Sequence, residues 1–208
     1  MLTLHYALGA CSLASHIALE EAGAPYKAAR LNMKDGEQRK AEYLAINPKG
    51  RVPALITDRG ILTETPAILA WIAQSFPAAK LAPLDDPYTF GRVQAFNSYL
   101  CSTVHVAHAH KGRGTRWADD PAALEDMKKK VPLNVAACFE LIEKDMFAGP
   151  WVMGEAYSIC DPYLFTVANW MDGDGVDPAR FPAILAHRKR MHERPAVKRV
   201  LEQENAAK

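Results

Sequence analysis

The sequence predicts a small α/β domain followed by an all-helical one, and three observations carry that expectation. Over the first 78 residues, apolar positions alternate in twos and then shift to three- and four-residue spacing, repeatedly. Residues 77–87 then place three prolines in eleven positions and read as a connecting segment. Beyond them the apolar spacing is helical and no strand signal competes. The expected boundaries are 1–78 for the α/β domain, 79–87 for the linker and 88–208 for the helical domain.

Each element follows from local chemistry. Leu2, Leu4 and Tyr6 alternate with Thr3 and His5, the period of a strand. After Gly9, the residues Leu13, Ala14, Ile17, Ala18, Leu19 and Ala22 make a helical stripe, closed by Gly23 and Pro25 in the order helix C-termini favour. Tyr26–Leu31 reads as a second strand, and Glu37–Ile46 as a short polar helix ended before Asn47-Pro48-Lys49-Gly50. Val52–Thr57 and Gly60–Leu62, separated by Asp58-Arg59, read as a hairpin. Pro66–Phe76 is a helix with proline in its first turn, where a missing N–H costs little. The order is β-α-β-α-β-β-α. Farther on, Leu124, Met127, Val131, Val135, Cys138, Ile142 and Met146 run through a long helix that Pro132 is expected to kink. Pro182–Glu193 and Pro195–Gln203 are proline-opened helices, and Ser158 with Asp161 forms a reciprocal helix cap.

Composition narrows the function. The 208 residues are 49% hydrophobic and 24% charged, and 25 basic side chains against 24 acidic ones leave a net charge of +1. That balance removes the electrostatic argument for nucleic acid or an anionic membrane as partner. No apolar run approaches the ~18 residues of a membrane span. Cysteines at 11, 101, 138 and 160 show no CxxC spacing. Neither a disulfide framework, a zinc knuckle nor a dithiol redox motif is therefore written here, and a reducing compartment is expected. Leu8-Gly9-Ala10-Cys11 looks like a lipoprotein cleavage box, but no Lys or Arg precedes it and only ten residues do. A signal peptide is not expected, and the protein reads as cytoplasmic.

Three short segments offer chemistry. Cys11 lies where the first strand hands over to the first helix, near unpaired N–H groups that favour a thiolate and lower a thiol pKa. The plainer alternative is a buried, inert cysteine. Gly9 permits close backbone approach and Ser12 adds a hydroxyl. In Arg51-Val52-Pro53-Ala54, a proline opening a strand after a Gly-containing turn is a candidate cis bond, although most X-Pro bonds are trans. In Glu64-Thr65-Pro66, the Thr65 hydroxyl and the helix start suit a carboxylate, with Glu64 open to an ammonium; a plain N-cap is the alternative.

Taken together, Cys11-Ser12, the run Asn47-Pro48-Lys49-Gly50-Arg51-Val52-Pro53-Ala54-Leu55 and the run Leu62-Thr63-Glu64-Thr65-Pro66-Ala67-Ile68 resemble the glutathione-site motifs of soluble glutathione S-transferases. The cysteine near the N-terminus makes the chain most similar to the bacterial beta class. The resemblance is dense over residues 1–76 and looser beyond, where Ser158-Ile159-Cys160-Asp161 resembles the family's capping box. It implies the glutathione transferase architecture, a thioredoxin-like α/β N-terminal domain plus an all-α C-terminal domain that walls the electrophile site. It also implies glutathione as co-substrate, a small electrophilic substrate, no metal, and a homodimer. On this resemblance Val52, ahead of Pro53, pairs its backbone with the cysteinyl part of glutathione, and Glu64 and Thr65 hold the γ-glutamyl end. Lys34 and His105 match positions that approach the glycyl end and the thiol. Cys11 matches a cysteine that forms a mixed disulfide with glutathione, and Ser98 stands where relatives often carry an Asn reaching across the dimer interface.

The implied function is activation of the glutathione thiol for attack on an electrophile. A thiol of pKa near 8.5 is only a few per cent ionised at neutral pH, and each unit of lowering is worth about 1.36 kcal/mol. Helix-terminal N–H groups, Cys11 or Ser12, and His105 are the expected sources of that lowering. Conjugation and thiol–disulfide exchange through Cys11 both stay open. A catalytically idle glutathione-fold interaction protein is a competing reading. The retained Cys11, Val52-Pro53 and Glu64-Thr65 count against it. Ala14, standing where a CxxC partner of Cys11 would be, counts against a dithiol reductase.

The helical region adds further candidates. His105, His108 and His110 cluster, with Cys101 and His105 on one helix face. No distant ligand pair or metalloprotease glutamate accompanies them, so packing in a cleft is expected rather than zinc. Residues 111–117 read as a solvated basic loop. The sharper alternative is that Arg113 or Arg116 reaches the cleft, near His108, and selects an electrophile bearing a carboxylate. Lys128-Lys129-Lys130 reads as a solvent face, and Trp151, Tyr157, Tyr163 and Trp170 as core rather than pocket lining.

Overall fold

The alternation at the N-terminus does build a strand: β1 (Leu2–Tyr6) buries Leu2, Leu4 and Tyr6 and leaves Thr3 and His5 half-buried. In the computed structural model, which describes residues 1–206, β1 lies inside a four-stranded sheet with β2 (Tyr26–Arg30), β3 (Ala54–Thr57) and β4 (Gly60–Thr63). The strand order is β2-β1-β3-β4. β1 pairs parallel with β2, Leu2 opposite Tyr26, and antiparallel with β3, Leu4 opposite Leu55. A parallel pair needs a crossover, and α1 (Ser12–Glu21) supplies it. β3 and β4 form the expected hairpin over Asp58-Arg59. The sheet is completed by α2 (Ala41–Leu44) and α3 (Thr65–Ser75), giving the thioredoxin-like arrangement.

Helix α1 ends as its sequence suggests. Gly23 takes the left-handed conformation (φ +62°), and the Ala24 N–H returns to the Leu19 carbonyl at 3.1 Å. Among the described residues the regular elements that follow are helices: α4 (Pro87–Tyr99), α5 (His105–Arg113), α6 (Pro121–Leu141), α7 (Cys160–Ala168), α8 (Pro182–Glu193) and α9 (Pro195–Ala206). One π-helical turn, Leu100–Val104, joins α4 to α5. Asp161 is fully buried and anchors the start of α7. Its carboxylate accepts from Val152 N (2.9 Å), Ser158 N (2.7 Å), Ser158 Oγ (3.3 Å) and His187 Nε2 (3.0 Å), extending the expected cap into a four-bond hub.

α1 belongs to both halves. Ser12 through Leu19 are all buried, because α3 covers one side and α7 and α9 the other. Leu13 and Ile17 pack with Phe165, Met191, Val197 and Val200. Burying such side chains contributes about 1.5–3 kcal/mol each. The partly exposed pairs Arg194–Glu21 and Arg199–Glu20 cross the same seam at about 0.2–1 kcal/mol apiece. Apolar packing therefore dominates the join.

Two expectations need correction. Glu37–Ile46 is not one helix: a 3-10 turn (Glu37–Arg39) and α2 are separated by Lys40 in an extended conformation (ψ 151°). Only Tyr43 of the segment's helical residues is buried, so little apolar contact holds a longer helix together. Residues 111–117 are not a loop. Through Arg113 they finish α5, and Gly114–Arg116 continues as a 3-10 turn. Gly114 makes this possible, since a Cβ there would meet Leu124 Cδ2 at 2.9 Å.

Candidate active site

The β1–α1 turn, the loop before β3, the start of α3 and one face of α5 enclose a cleft of about 790 Å³. Cys11 occupies the N-cap of α1, and its thiol donates to the Val52 carbonyl at 3.3 Å. The Val52–Pro53 bond is cis, as its context suggested. The preceding loop is pinned from outside: Tyr43 Oη (2.6 Å) and Asn47 Nδ2 (2.7 Å) both donate to the Arg51 carbonyl. Gly50 (φ +60°) would bring a Cβ within 3.0 Å of the Gln38 carbonyl, so only glycine fits the turn without displacement.

Thr65 opens α3 and is buried. Glu64 before it adopts φ 72°, ψ 124°, a region that costs a non-glycine residue about 1–3 kcal/mol. Its carboxylate faces a cation, Lys49 Nζ at 2.5 Å, which also donates to Thr63 Oγ1 at 2.6 Å. Strain at a cleft-lining residue is a mark of a site rather than of a plain helix cap.

The opposite wall is built from long and aromatic side chains. His105 Nε2 accepts from Arg113 Nη2 at 3.3 Å, which leaves the ring proton on Nδ1. Burial, with Arg113, His108 and further cations adding to it, pushes the His105 pKa down to about 3, so this imidazole is neutral at physiological pH. His108 Nδ1 lies 2.7 Å from the buried Asp174 Oδ2, and its ring stacks on Trp170 at 4.4 Å between centroids. The Trp170 Nε1–H donates to the Gly9 carbonyl at 3.0 Å, joining the helical wall to the turn that carries Cys11.

Cys11, Val52, Pro53, Glu64, Thr65, His105, His108, Arg113 and Arg116 all line this one cleft. Three expected residues do not. Ser12 is buried behind the turn, where its hydroxyl accepts from Ala7 N (3.1 Å) and donates to Ala7 O (3.3 Å) rather than facing the cleft. Lys34 lies exposed on the turn after β2, and Ser98 exposed on α4, both outside the cleft of this chain. The expected low pKa of Cys11 is also corrected. Burial pushes the thiol up, outweighing the Thr65 hydroxyl and the Arg113 charge, and the Val52 carbonyl stabilises the protonated form.

Arg39, Lys49 and Arg51 line the cleft with no role expected of them, and Trp170 and Tyr163, expected in the core, line it as well. Lys49 and Arg51 sit inside a recognised motif, and their charge was the available signal. Trp170 was read as core, because nothing local marks a contact made 161 residues away. Among the described residues no group of three His, Cys, Asp or Glu is placed to hold a metal, and no helix is long and apolar enough to cross a membrane.

A mixed sheet whose cis-proline loop and helix N-terminus face an all-helical wall defines a thiol-handling cleft of thioredoxin-like type. Residues 2–74 match the family described as glutathione S-transferase, N-terminal domain. The glutathione S-transferase GstA of Escherichia coli O157:H7 is 33% identical over 204 residues, covering 97% of this chain and 98% of that protein. A glutathione transferase homologue from Sulfitobacter, solved with bound glutathione, superposes with a TM-score of 0.95 at 48% identity, covering 98% of both chains. The bacterial beta class glutathione S-transferase of Sphingomonas chungbukensis superposes at 0.84 with 34% identity, covering 97% of this chain and 98% of that one. The chain belongs to the glutathione S-transferase family.

Proposed function

We propose that the protein is a glutathione-dependent transferase that joins the glutathione thiol to a small electrophile. The observation that carries this reading is the convergence of Cys11, the Val52 backbone and Glu64-Thr65 on one side of a single cleft, with His105 and Arg113 on the other. Residues 1–78 bind glutathione and residues 88–208 wall the electrophile, with 79–87 between them. The Thr65 hydroxyl and the α3 N-terminus receive the γ-glutamyl carboxylate. Glu64 takes the ammonium, a role that Lys49 fills in its present pairing. The Val52 N–H and carbonyl pair with the cysteinyl peptide unit. Glutathione supplies the nucleophilic sulfur. The Arg113 charge favours its thiolate, and neutral His105 has an Nδ1–H to donate. The Cys11 thiol, which donates to Val52 and has a raised pKa, is a hydrogen-bonding neighbour more than a redox nucleophile at neutral pH. An interaction-only role has no use for a strained Glu64 and a preset thiol environment. A homodimer in the cytoplasm, with Ser98 at its interface, completes the proposal.

Glutathione-affinity retention and intact mass after incubation with glutathione disulfide, on wild type and Cys11→Ala, test this. Both proteins should be retained. An adduct of about 305 Da should form on wild type alone and grow as pH rises beyond the ordinary thiol range, because a raised pKa keeps thiolate scarce at neutrality. A full adduct at pH 7 would replace conjugation with disulfide exchange as the main chemistry. Failure of retention would remove the glutathione reading altogether.

A further inference from the structure

The cleft is far more positive than the protein that contains it. Its lining holds Arg39, Lys49, Arg51, Arg113 and Arg116 against one carboxylate, Glu64, in a chain of net charge +1. Lys49 is already paired with Glu64. Among the described residues the four arginines make no salt bridge. The hydrogen-bond partner of Arg113 is a neutral imidazole, which offers no countercharge. Burial lowers the pKa of both Arg113 and Arg116, and Arg51 adds to the lowering in each case, so these guanidinium groups crowd one another. Arg113 is half-buried while Arg39, Arg51 and Arg116 are exposed at the mouth, so their mutual repulsion is partly screened by solvent and is relieved by a ligand that brings anions.

Glutathione does not bring enough. Five cations against one carboxylate leave a surplus of four. The thiolate form of glutathione, its carboxylates ionised and its amine protonated, cancels about two of these. Arg113 ends α5 and Arg116 ends the 3-10 turn that follows it, both on the helical wall of the cleft. Flat surfaces border the same wall, with His108 stacked on Trp170 and His110 stacked on Trp117 at 4.3 Å.

We propose that the second substrate is a planar electrophile bearing a carboxylate, with Arg116 and Arg113 binding the carboxylate while the ring lies against the His108–Trp170 stack. This rests on the glutathione reading and deepens it. A suitable probe is 4-chloro-3-nitrobenzoate beside its uncharged amide. In each reaction the thiolate sulfur forms a bond to the carbon that carries chlorine, chloride leaves with the bonding pair, and the thiol proton passes to solvent.

The measurement is kcat/KM for both probes, each divided by its uncatalysed rate with glutathione, together with calorimetric titration of glutathione alone. Wild type should favour the benzoate, and the preference should shrink as salt rises. Arg116→Gln should reduce the preference about tenfold, the loss of one charge-assisted contact, and Arg116→Lys should restore part of it. Because the readout is a ratio within one preparation, poor folding of a variant does not imitate the effect. Equal treatment of the two probes by wild type, or equal losses in Arg116→Gln, would overturn the proposal while glutathione still binds. A second glutathione per chain that disappears in Arg116→Gln would also overturn it, by giving the cations to peptide. Absence of any glutathione binding would instead strike the underlying reading.

Discussion

The two walls of the cleft are made differently. The sheet-side wall sets backbone groups and short side chains, namely the Val52 carbonyl, the Thr65 hydroxyl, Cys11 at a helix cap and a glycine turn fixed by Asn47 and Tyr43, beside the charged Arg39, Lys49, Arg51 and Glu64. The helical wall uses long cations and stacked rings: His105, His108, Arg113, Arg116 and Trp170. Backbone groups recognise a constant ligand, since they change little when side chains do. Long side chains recognise a variable one. On the proposed reading, glutathione lies against the first wall and the electrophile against the second, and substitutions should then separate the binding of the two.

The harshest way to break this comparison is to remove the root of the helical wall. Asp161→Ala leaves two backbone N–H groups, the Ser158 hydroxyl and the His187 ring without their shared acceptor. The loss should be about 3–5 kcal/mol, read as a fall in the urea midpoint of tryptophan fluorescence. A loss below about 1 kcal/mol would mean that α7 is held by packing alone. Next comes the sheet-side wall. Thr65→Val keeps the shape and deletes the hydroxyl, and should weaken glutathione binding by about 2 kcal/mol, or roughly 30-fold, equally for every electrophile. A penalty that varied with the electrophile would erase the division between the walls. The mildest is Asp174→Asn, which exchanges the carboxylate facing the His108 ring for a neutral amide. It should lower kcat/KM for the electrophile about fivefold, the difference between a charge-assisted and a neutral acceptor, with glutathione affinity nearly constant. A larger effect on glutathione affinity than on the electrophile would place His108 on the wrong side.

The same division explains what the sequence reveals. Cys11, Val52-Pro53 and Glu64-Thr65 are legible because each sits at a strand or helix terminus, where neighbouring residues determine the backbone and the backbone does the recognising. Pro182–Glu193 is read to the residue because proline marks its start. The helical wall resists such reading. Arg113 and Arg116 pass for a solvated loop until the close approach of Gly114 to Leu124 shows the chain turning helically toward the cleft. Ser12 passes for a catalytic hydroxyl because its sequence position is right, while its direction, toward Ala7, depends on packing between elements. Trp170 reaches Gly9 only because α7 lies against α1. The raised thiol of Cys11 has the same origin, since local geometry predicts thiolate and burial by distant residues overrides it.

The shared helix α1 carries a consequence for how such proteins diversify. One of its faces completes the sheet's core, and another, through Leu13, Ile17 and the His16–Glu204 contact at 2.9 Å, completes the core of α7 to α9. A graft of a foreign helical region onto this sheet would meet α1 with mismatched knobs and an orphaned buried histidine. On the proposed reading, exchange of the whole helical half disrupts two cores at once, whereas substitution at the cleft rim leaves α1 undisturbed.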